Sequence, residues 1–254
     1  MDVRAKKHLG QHFLTDENIA QQIADSLGKR SPNLLEIGPG MGVLTKYLMN
    51  NHHYHFRAIE LDSESVVYLH NHYPELEVVE ADFLRADLST LFDGDISIIG
   101  NFPYNISSQI LFKVYNHRDC IPEVVGMFQK EVAERVAAKA GSKTYGILSV
   151  LLSAYYDIEY LFTVHEHVFN PPPKVKSAVI RLRRNQIETL PCDEQLFFRI
   201  VKTGFNQRRK TLRNALKPLG MNLEQVPETL LSQRAEQLMV EDYIQIANSL
   251  TPLS

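Results

Sequence analysis

The sequence Glu36-Ile37-Gly38-Pro39-Gly40-Met41-Gly42 places three glycines at alternate positions directly after the short apolar run Leu34-Leu35. Glycines in a turn between a strand and a helix let the backbone bend sharply and approach a bound ligand closely. The spacing here is G-x-G-x-G, whereas dinucleotide-binding proteins use G-x-G-x-x-G. The turn therefore favours a cofactor without a pyrophosphate, such as S-adenosylmethionine, and makes a nicotinamide oxidoreductase a remote alternative.

Short β-rich runs alternate with helix-like segments up to about residue 185. This order is typical of an α/β fold with an open, largely parallel sheet and helices on both faces. Two late runs, 157–164 and 177–184, have no long helix between them, and we expect them to close one sheet edge as an antiparallel pair. The stiff sequence Pro171-Pro172-Pro173 joins them. The earlier predicted strands are 34–37, 55–60, 76–80, 95–99 and 124–128.

The β-rich pattern stops after Asn185. Segments 196–217 and 240–250 have helical patterns, with prolines in the connections between them. We therefore expect two domains. Residues 1–185 form the cofactor-binding catalytic domain, and residues 186–254 form a small all-helical domain.

Polar side chains follow the later strands at the points where they end. Glu60 ends the second predicted strand, and a carboxylate at that position can accept hydrogen bonds from both ribose hydroxyls. Asp82 follows the third strand and is suited to accept a hydrogen bond from the adenine amine of a cofactor. Asn101 ends the fourth. Because ligands of open α/β sheets bind at the carboxyl ends of strands, we expect these residues to converge on one site.

The loop Asn101-Phe102-Pro103-Tyr104 indicates the type of reaction. The exocyclic amine of adenine is a poor nucleophile because its lone pair is delocalised into the ring, and accepting a hydrogen bond from each N–H favours the nucleophilic, pyramidal form. The Asn101 side-chain carbonyl and the Pro103 backbone carbonyl are suitable acceptors. Tyr104 offers a ring on which a base can stack. Cytosine-C5 chemistry would instead require a cysteine nucleophile, and none lies near this loop in the sequence.

The composition, 44% hydrophobic and 22% charged residues, is that of a folded protein. There is no apolar run long enough to cross a bilayer and no secretory signal at the amino terminus, so we expect no membrane association and a cytoplasmic location. Cys120 and Cys192 lack metal-like spacing, so we expect neither a metal site nor a disulfide.

The charged residues are unevenly distributed. The net charge of −3 does not by itself indicate a nucleic-acid partner. However, no acidic residue stands between Glu166 and Glu188 or between Glu194 and Glu224. A segregated basic face on an acidic protein fits a polyanionic partner, although a solvated helix face explains a single run equally well. The basic residues in these two intervals are Lys174, Lys176, Arg181, Arg183, Arg184, Arg199, Lys202, Arg208, Arg209, Lys210, Arg213 and Lys217.

Taken together, these motifs resemble the small-subunit ribosomal RNA adenine-N6 dimethyltransferase family (KsgA type) over nearly the whole chain. The matching segments are 9–14, 36–42, 59–62, 101–107, 141–146, 168–177 and 205–212.

The resemblance implies a Rossmann-like class I methyltransferase sheet and the transfer of two methyl groups to each of two neighbouring adenosines near the 3′ end of small-subunit ribosomal RNA. It implies S-adenosylmethionine as the methyl donor and the immature small ribosomal subunit as the partner. We expect the enzyme to act as a monomer, because the exposed basic surface would be used to bind RNA. It also implies that Phe169 stacks on the target base opposite Tyr104. The cofactor-lining residues would be His12, Leu14, Gly38, Gly40, Glu60, Asp82 and Asn101, and the residues that contact RNA phosphates would be Arg208, Arg209, Lys210 and Arg213 on a basic helix.

The sequence leaves open which atoms of His12 contact the cofactor and which of three functions the chain has. Family members often carry asparagine where this chain has His12, so His12 is expected to contact the cofactor through its backbone. A large-subunit RNA methyltransferase of the antibiotic-resistance kind shares the main motifs, although segments 141–146 and 205–212 favour the small-subunit type. A ribosome-assembly or transcription factor that lost catalysis is a third alternative, which the intact set of glycines, acids and Asn101 disfavours.

Overall fold

The structure, a computed structural model, describes residues 3–252; residues 1, 2, 253 and 254, at the outer ends of the two predicted domains, lie outside the described residues. The strands are β1 (Phe13–Leu14), β2 (Asn33–Ile37), β3 (His55–Glu60), β4 (Glu77–Glu80), β5 (Ile96–Asn101), β6 (Glu123–Gln129), β7 (Tyr156–Val164), β8 (Phe169–Asn170), β9 (Ser177–Arg184), β10 (Met221–Asn222) and β11 (Thr251–Pro252). The α-helices are α1 (Glu17–Asp25), α2 (Thr45–Met49), α3 (Ser63–His72), α4 (Ser107–Asn116), α5 (Lys130–Val136), α6 (Ile147–Ser153), α7 (Glu194–Asn206), α8 (Leu212–Ala215), α9 (Glu228–Leu231) and α10 (Val240–Ser249).

The main sheet has seven strands in the order β4-β3-β2-β5-β6-β9-β7. From β4 to β6 all neighbouring strands are parallel, and every residue of β2 is buried because helices and loops cover both faces of the sheet centre. The five predicted parallel strands are confirmed, with ends that differ by at most two residues. Their carboxyl ends meet at one edge, where the glycine turn and the strand-end acids lie.

The far side of the sheet is closed by the two late strands. β9 pairs antiparallel with β6, and β7 is the outermost strand next to β9, so the predicted neighbours at this edge are confirmed. A separate ladder that the sequence did not predict pairs β1 antiparallel with β8, with Leu14 opposite Phe169. It joins the segment before α1 to the loop between β7 and β9.

The carboxyl-terminal region is helical, but the predicted helix 196–217 is wrong as one continuous element. α7 ends at Asn206, residues 207–211 form a turn closed by a 2.8 Å hydrogen bond from Lys210 N to Gln207 O, and α8 begins at Leu212. The run Gln207 to Lys210 is entirely polar, so it has no apolar side to hold a helix against the core. A two-residue ladder between β10 and β11 is added to the helices.

The chain forms two compact units. The first contains the residues up to Ala133 together with Ile158–Arg184, and the second contains Glu134–Asp157 together with the residues from Asn185 onward. The unit boundary near residue 185 coincides with the predicted one, whereas Glu134–Asp157 groups with the second unit.

Within residues 3–252, no helix has the length and apolar character needed to cross a membrane. The same residues contain no cluster of three or more His, Cys, Asp or Glu side chains arranged to hold a metal ion.

Candidate active site

The glycine turn after β2 has the backbone geometry that its glycines permit. Gly38 and Gly40 have φ angles of +66° and +57°, in the left-handed region that side chains disfavour. A Cβ atom on Gly40 would lie 2.8 Å from Cε1 of Phe13, which is closer than van der Waals contact allows. The Gly38 N–H donates to the Ile59 carbonyl at 2.9 Å. The turn is therefore held tightly against β3 and the amino-terminal segment.

Glu60, at the end of β3, fixes this turn through its carboxylate. Its Oε2 accepts a hydrogen bond from Gly40 N at 3.1 Å, and its Oε1 accepts from Leu61 N and Asp62 N at 2.8 and 2.9 Å. Burial raises the pKa of Glu60, and the three N–H donors oppose that rise. A carboxylate has about four acceptor positions, so about one position on Oε2 remains for a ribose hydroxyl.

Asp82 lies in the loop after β4, and its Oδ1 accepts a hydrogen bond from Leu84 N at 2.9 Å. The loop is held from below by Lys113 of α4, which donates to the carbonyls of Phe83 and Ala86 at 2.6 and 2.5 Å. Burial lowers the pKa of Lys113. The Asp82 side chain is about one-third exposed and lines the cavity, and its second oxygen lies 3.6 Å from Arg85 Nε.

Asn101, the last residue of β5, has a defined amide orientation. Its Nδ2 donates to the backbone carbonyl of His12 at 2.9 Å. A carbonyl can only accept a hydrogen bond, so the amide nitrogen must face His12 and the amide oxygen faces the other way. Within the described residues, nothing donates to that oxygen. The His12 carbonyl thus orients the Asn101 side chain, a contact that was not predicted.

The two backbone carbonyls that follow Asn101, those of Phe102 and Pro103, differ in the hydrogen bonds that they accept. The Pro103 carbonyl accepts a hydrogen bond from Ile106 N at 3.3 Å, and it shares the single hydroxyl proton of Ser107 with the Tyr104 carbonyl, at 3.1 and 3.2 Å respectively. The Phe102 carbonyl accepts no hydrogen bond in the part of the chain that the structure describes, while its ring packs in the core beside Phe128. Of these two carbonyls, that of Phe102 is therefore the more open to a further hydrogen bond.

Tyr104 is held on two sides. Its hydroxyl forms a hydrogen bond with Ser177 Oγ, and its ring stacks on that of His12 with centroids 5.1 Å apart. Burial raises the pKa of Tyr104, so its hydroxyl is neutral at physiological pH. The structure does not bring Phe169 to the position expected of it: Phe169 is 4% exposed and packs in the core with Leu14. Pairing of β1 with β8 buries both residues.

Most of the predicted site residues converge on one cavity at the carboxyl edge of the sheet. The exceptions are Leu14, which lines a small adjoining cavity with Glu36 and Asn101, and Phe169, which lines neither. The predicted residues that line the main cavity are His12, Gly38, Gly40, Glu60, Asp82, Asn101, Pro103 and Tyr104.

Asp62, which was not among the predicted site residues, fixes the amino-terminal segment over this cavity. Asp62 is 2% exposed, and it accepts hydrogen bonds from Lys6 Nζ at 2.5 Å and from Gln11 Nε2 at 3.1 Å. These contacts lower the pKa of Asp62 against the opposing effect of its burial. An acid two residues after Glu60, opposite a Lys-Lys pair, was the available signal.

The predicted RNA-contact residues of the second unit are of two kinds. Arg208 donates to the Lys143 carbonyl at 2.5 Å and lies 3.7 Å from Glu236, and Arg213 is paired with Glu228. Arg209 and Lys210 are exposed and have no such partner among the described residues. Arg208, Arg209 and Lys210 lie in the turn after α7, whereas Arg213 lies in α8. The prediction that all four residues share one basic helix is therefore wrong.

The fold is shared with solved structures. A dimethyladenosine transferase from Plasmodium falciparum is 26% identical, covers 92% of this chain and 96% of its own, and has a TM-score of 0.75. The 23S rRNA methyltransferase ErmE is 24% identical, with coverages of 93% and 98% and a TM-score of 0.72. This fold, together with the glycine turn and the strand-end acids, defines a class I S-adenosylmethionine-dependent methyltransferase.

The particular family follows from sequence. Residues 3–252 match the model of the family described as ribosomal RNA adenine dimethylase. The ribosomal RNA small subunit methyltransferase A of Cytophaga hutchinsonii is 59% identical over 98% of both chains, and that of Flavobacterium johnsoniae is 57% identical over 95% of this chain and 94% of its own. This chain belongs to the ribosomal RNA adenine dimethylase family, and it is an rRNA adenine dimethyltransferase that uses S-adenosylmethionine.

Proposed function

We propose that this enzyme dimethylates the N6 amines of two adjacent adenosines near the 3′ end of small-subunit ribosomal RNA, acting on the immature small subunit. Two relatives at 57 and 59% identity are named as small-subunit methyltransferases, which supports this subunit as the target. The likeness to the 23S enzyme ErmE, at 24% identity, supports the fold alone. We further propose that the enzyme acts as a monomer in the cytoplasm.

The observation on which the proposed site rests is the orientation of Asn101. Its amide nitrogen is engaged by the His12 carbonyl, so its oxygen is available to accept a hydrogen bond from the adenine amine. A second acceptor is needed for the other N–H, and the loop offers the carbonyls of Phe102 and Pro103. Two accepted hydrogen bonds draw the nitrogen lone pair out of conjugation, which makes the amine nucleophilic.

The remaining residues of the loop and cavity position the two reactants. Tyr104 presents a fixed ring against which the extruded base can stack, since its hydroxyl is tied to Ser177. The glycine turn, Glu60 and Asp82 would hold the cofactor, and the apolar side chains of Leu61 and Phe83 in the lining suit a purine ring. When bound, S-adenosylmethionine supplies an electrophilic methyl group. The methylated amine is a strong enough acid to lose its proton to water, so the neutral acceptors suffice.

The test is labelled-methyl transfer to small subunits that lack the modification, followed by nucleoside analysis for dimethyladenosine. Asn101→Ala should lower turnover by about 10³-fold, because it removes an acceptor that acts in the transition state. Cofactor binding by calorimetry should weaken only modestly. Asn71→Ala, an exposed position on α3, is the matched control and should keep full activity.

Three outcomes would contradict parts of the proposal. Full activity of Asn101→Ala would exclude the amine-binding role. Label in large rather than small subunits would indicate the ErmE-like specificity. Cofactor-independent binding to immature subunits with no transfer would indicate an assembly factor.

A further inference from the structure

The loop of residues 171–176, between β8 and β9, is attached to the residues around Tyr104 at both ends. At its start, the Pro171 carbonyl is 2.8 Å from Nδ1 of His12, the ring that stacks on Tyr104. At its end, the loop leads into Ser177, whose Oγ is hydrogen-bonded to the Tyr104 hydroxyl. The loop therefore has a fixed position beside the ring on which the target base is proposed to stack.

A third contact holds the loop in the same place. The backbone N–H of Lys130, at the start of α5, donates to the Lys176 carbonyl at 2.9 Å. Pro173 is buried within the loop. Since the backbone is fixed at Pro171, Lys176 and Ser177, the side chains between them are presented from a rigid support rather than from a freely moving segment.

The basic side chains of this loop differ from Arg181, another basic residue between Glu166 and Glu188, in being exposed and unpaired. Lys174, Val175 and Lys176 are all exposed, and Val175 is 48% exposed. Within the described residues, neither lysine ammonium has a hydrogen bond or an ion pair. By contrast, Arg181 forms an ion pair with Glu159 at 2.7 Å, so a carboxylate in the same sheet already neutralises its charge.

Two unpaired cations within three residues of each other repel, and an exposed valine between them adds apolar surface, so this arrangement does not stabilise the isolated protein. It suits a polyanion that also carries flat apolar groups. An adenine that leaves its stack brings its own flanking phosphates to the mouth of the pocket. Lysine binds phosphate as a compact point charge.

We propose that the 171–176 loop is an RNA-binding element at the mouth of the pocket, in which Lys174 and Lys176 hold the phosphates that flank the target adenosine and Val175 contacts a neighbouring base. This inference rests on the proposed action on RNA. It assigns to the first unit a set of RNA contacts that is separate from Arg209 and Lys210. The role of the two lysines is to position the substrate, because they touch its backbone and not the reacting amine.

The test compares the wild-type enzyme with Lys174→Gln/Lys176→Gln, Lys174→Arg/Lys176→Arg and Lys29→Gln/Arg30→Gln. The last pair removes the same charge from exposed positions before β2, at the opposite edge of the sheet. The substrate is a hairpin RNA with the 3′-end sequence of the small subunit. The measurements are RNA affinity between 50 and 200 mM salt, steady-state methyl transfer, and calorimetric cofactor binding.

The glutamine variant should raise the KM for RNA about tenfold and reduce the steepness of the log–log salt dependence by about 1.4, because two single-strand phosphate contacts are lost. The arginine variant should restore both values, and the control pair should match the wild type. Cofactor affinity should be unchanged in all variants.

Several results would overturn the inference. One is a glutamine variant with wild-type KM and salt dependence. Another is an arginine variant as impaired as the glutamine variant, which would indicate a structural role for the lysines. A parallel loss of cofactor affinity would assign them to the cofactor instead. If the wild-type enzyme neither bound nor methylated the hairpin or the intact small subunit, the proposed function itself would fail, and the loop's role with it.

Discussion

Glu36 lies beneath the glycine turn with 1% of its surface exposed, and its side chain receives a single hydrogen bond within the described residues, from Thr45 Oγ at 2.7 Å. Burial raises the pKa of Glu36 to about 8, and the nearby Glu60 carboxylate adds to the rise. The Thr45 hydroxyl opposes it only in part. Glu36 is therefore protonated in the folded protein at neutral pH.

This gives a pH dependence of stability. The folded-state pKa lies above that of the unfolded chain, so the stability that Glu36 contributes is fully present below about pH 4.5 and is lost as the pH rises through about 8. Glu36→Gln should melt like the wild type near pH 5 and at a higher temperature at pH 8.5, with a difference that grows by at most about 1.4 kcal/mol per pH unit. Thermal unfolding across this range checks it, and exposed Glu75→Gln should show no such effect. Parallel pH profiles for wild type and Glu36→Gln would contradict it.

Comparing Gly40 with Gly94 distinguishes the backbone strain of a side chain at a positive φ angle from the steric clash of that side chain with a neighbour. Both have positive φ, +57° and +87°, but a Cβ on Gly40 would collide with Phe13 whereas one on Gly94 would meet nothing within 4 Å. Alanine at either position should destabilise the fold by about 1–2 kcal/mol. Only Gly40→Ala should also weaken cofactor binding, by tenfold or more, because the turn must shift away from Phe13. Calorimetry and thermal unfolding measure the two effects, and equal cofactor affinities would refute the distinction.

At the scale of single residues, the sequence predicted which residues form the site better than it predicted how their side chains are oriented. Asn101 was identified from its position after a strand, because parallel strands place their carboxyl ends together. Its amide orientation depends on the His12 carbonyl, 89 residues away along the chain. The burial of Phe169 was not predicted for a similar reason, because it results from a ladder with Leu14 that is too short to leave a periodic signal.

At the element scale, the central strands could be predicted because each is an apolar run bounded by polar turns. The break between α7 and α8 was not predicted, because helical patterns on both sides of the short polar run Gln207 to Lys210 were joined into one element. Tertiary contacts also hold the chain out of a continuous helix there. One such contact is the 2.7 Å hydrogen bond from Leu212 N to Gln233 O. The grouping of Glu134–Asp157 with the second unit was equally invisible, because it depends on contacts made by residues after 185.

The turn after α7 leads to a prediction about its arginines. Arg208 is tied to the Lys143 carbonyl and faces Glu236, so Arg208→Gln should lower the melting temperature by a few degrees, corresponding to about 1 kcal/mol. Arg209→Gln/Lys210→Gln should leave the melting temperature unchanged and weaken RNA binding several-fold, with a shallower salt dependence. Filter binding and thermal unfolding distinguish the two. A reversed pattern, with Arg209 and Lys210 needed for stability, would refute this assignment.

At the scale of the whole molecule, the basic residues have two different roles, which the net charge of −3 does not reveal. Arg57, Arg181 and Arg183 are paired with glutamates in the sheet and serve the fold. Lys174 and Lys176 in one unit and Arg209 and Lys210 in the other are exposed and have no ion pair among the described residues, so their charges are available to a partner. An acidic protein can therefore bind a polyanion, because the two sequence intervals that contain these positions have no acidic residue.

The same separation predicts that salt acts on the two ligands differently. If the four available cations each contact one single-strand phosphate, the log–log slope of RNA affinity against salt should be about −2.8, a loss of roughly fiftyfold between 50 and 200 mM. Cofactor affinity should change by less than about twofold over this range, because its proposed contacts are with buried groups such as Glu60 and the glycine turn, where screening is weak. Fluorescence anisotropy with the hairpin RNA and calorimetry with the cofactor give the two slopes for the same protein. A flat RNA slope would mean that base and backbone hydrogen bonds dominate RNA binding, and a steep cofactor slope would mean that its site is open to solvent.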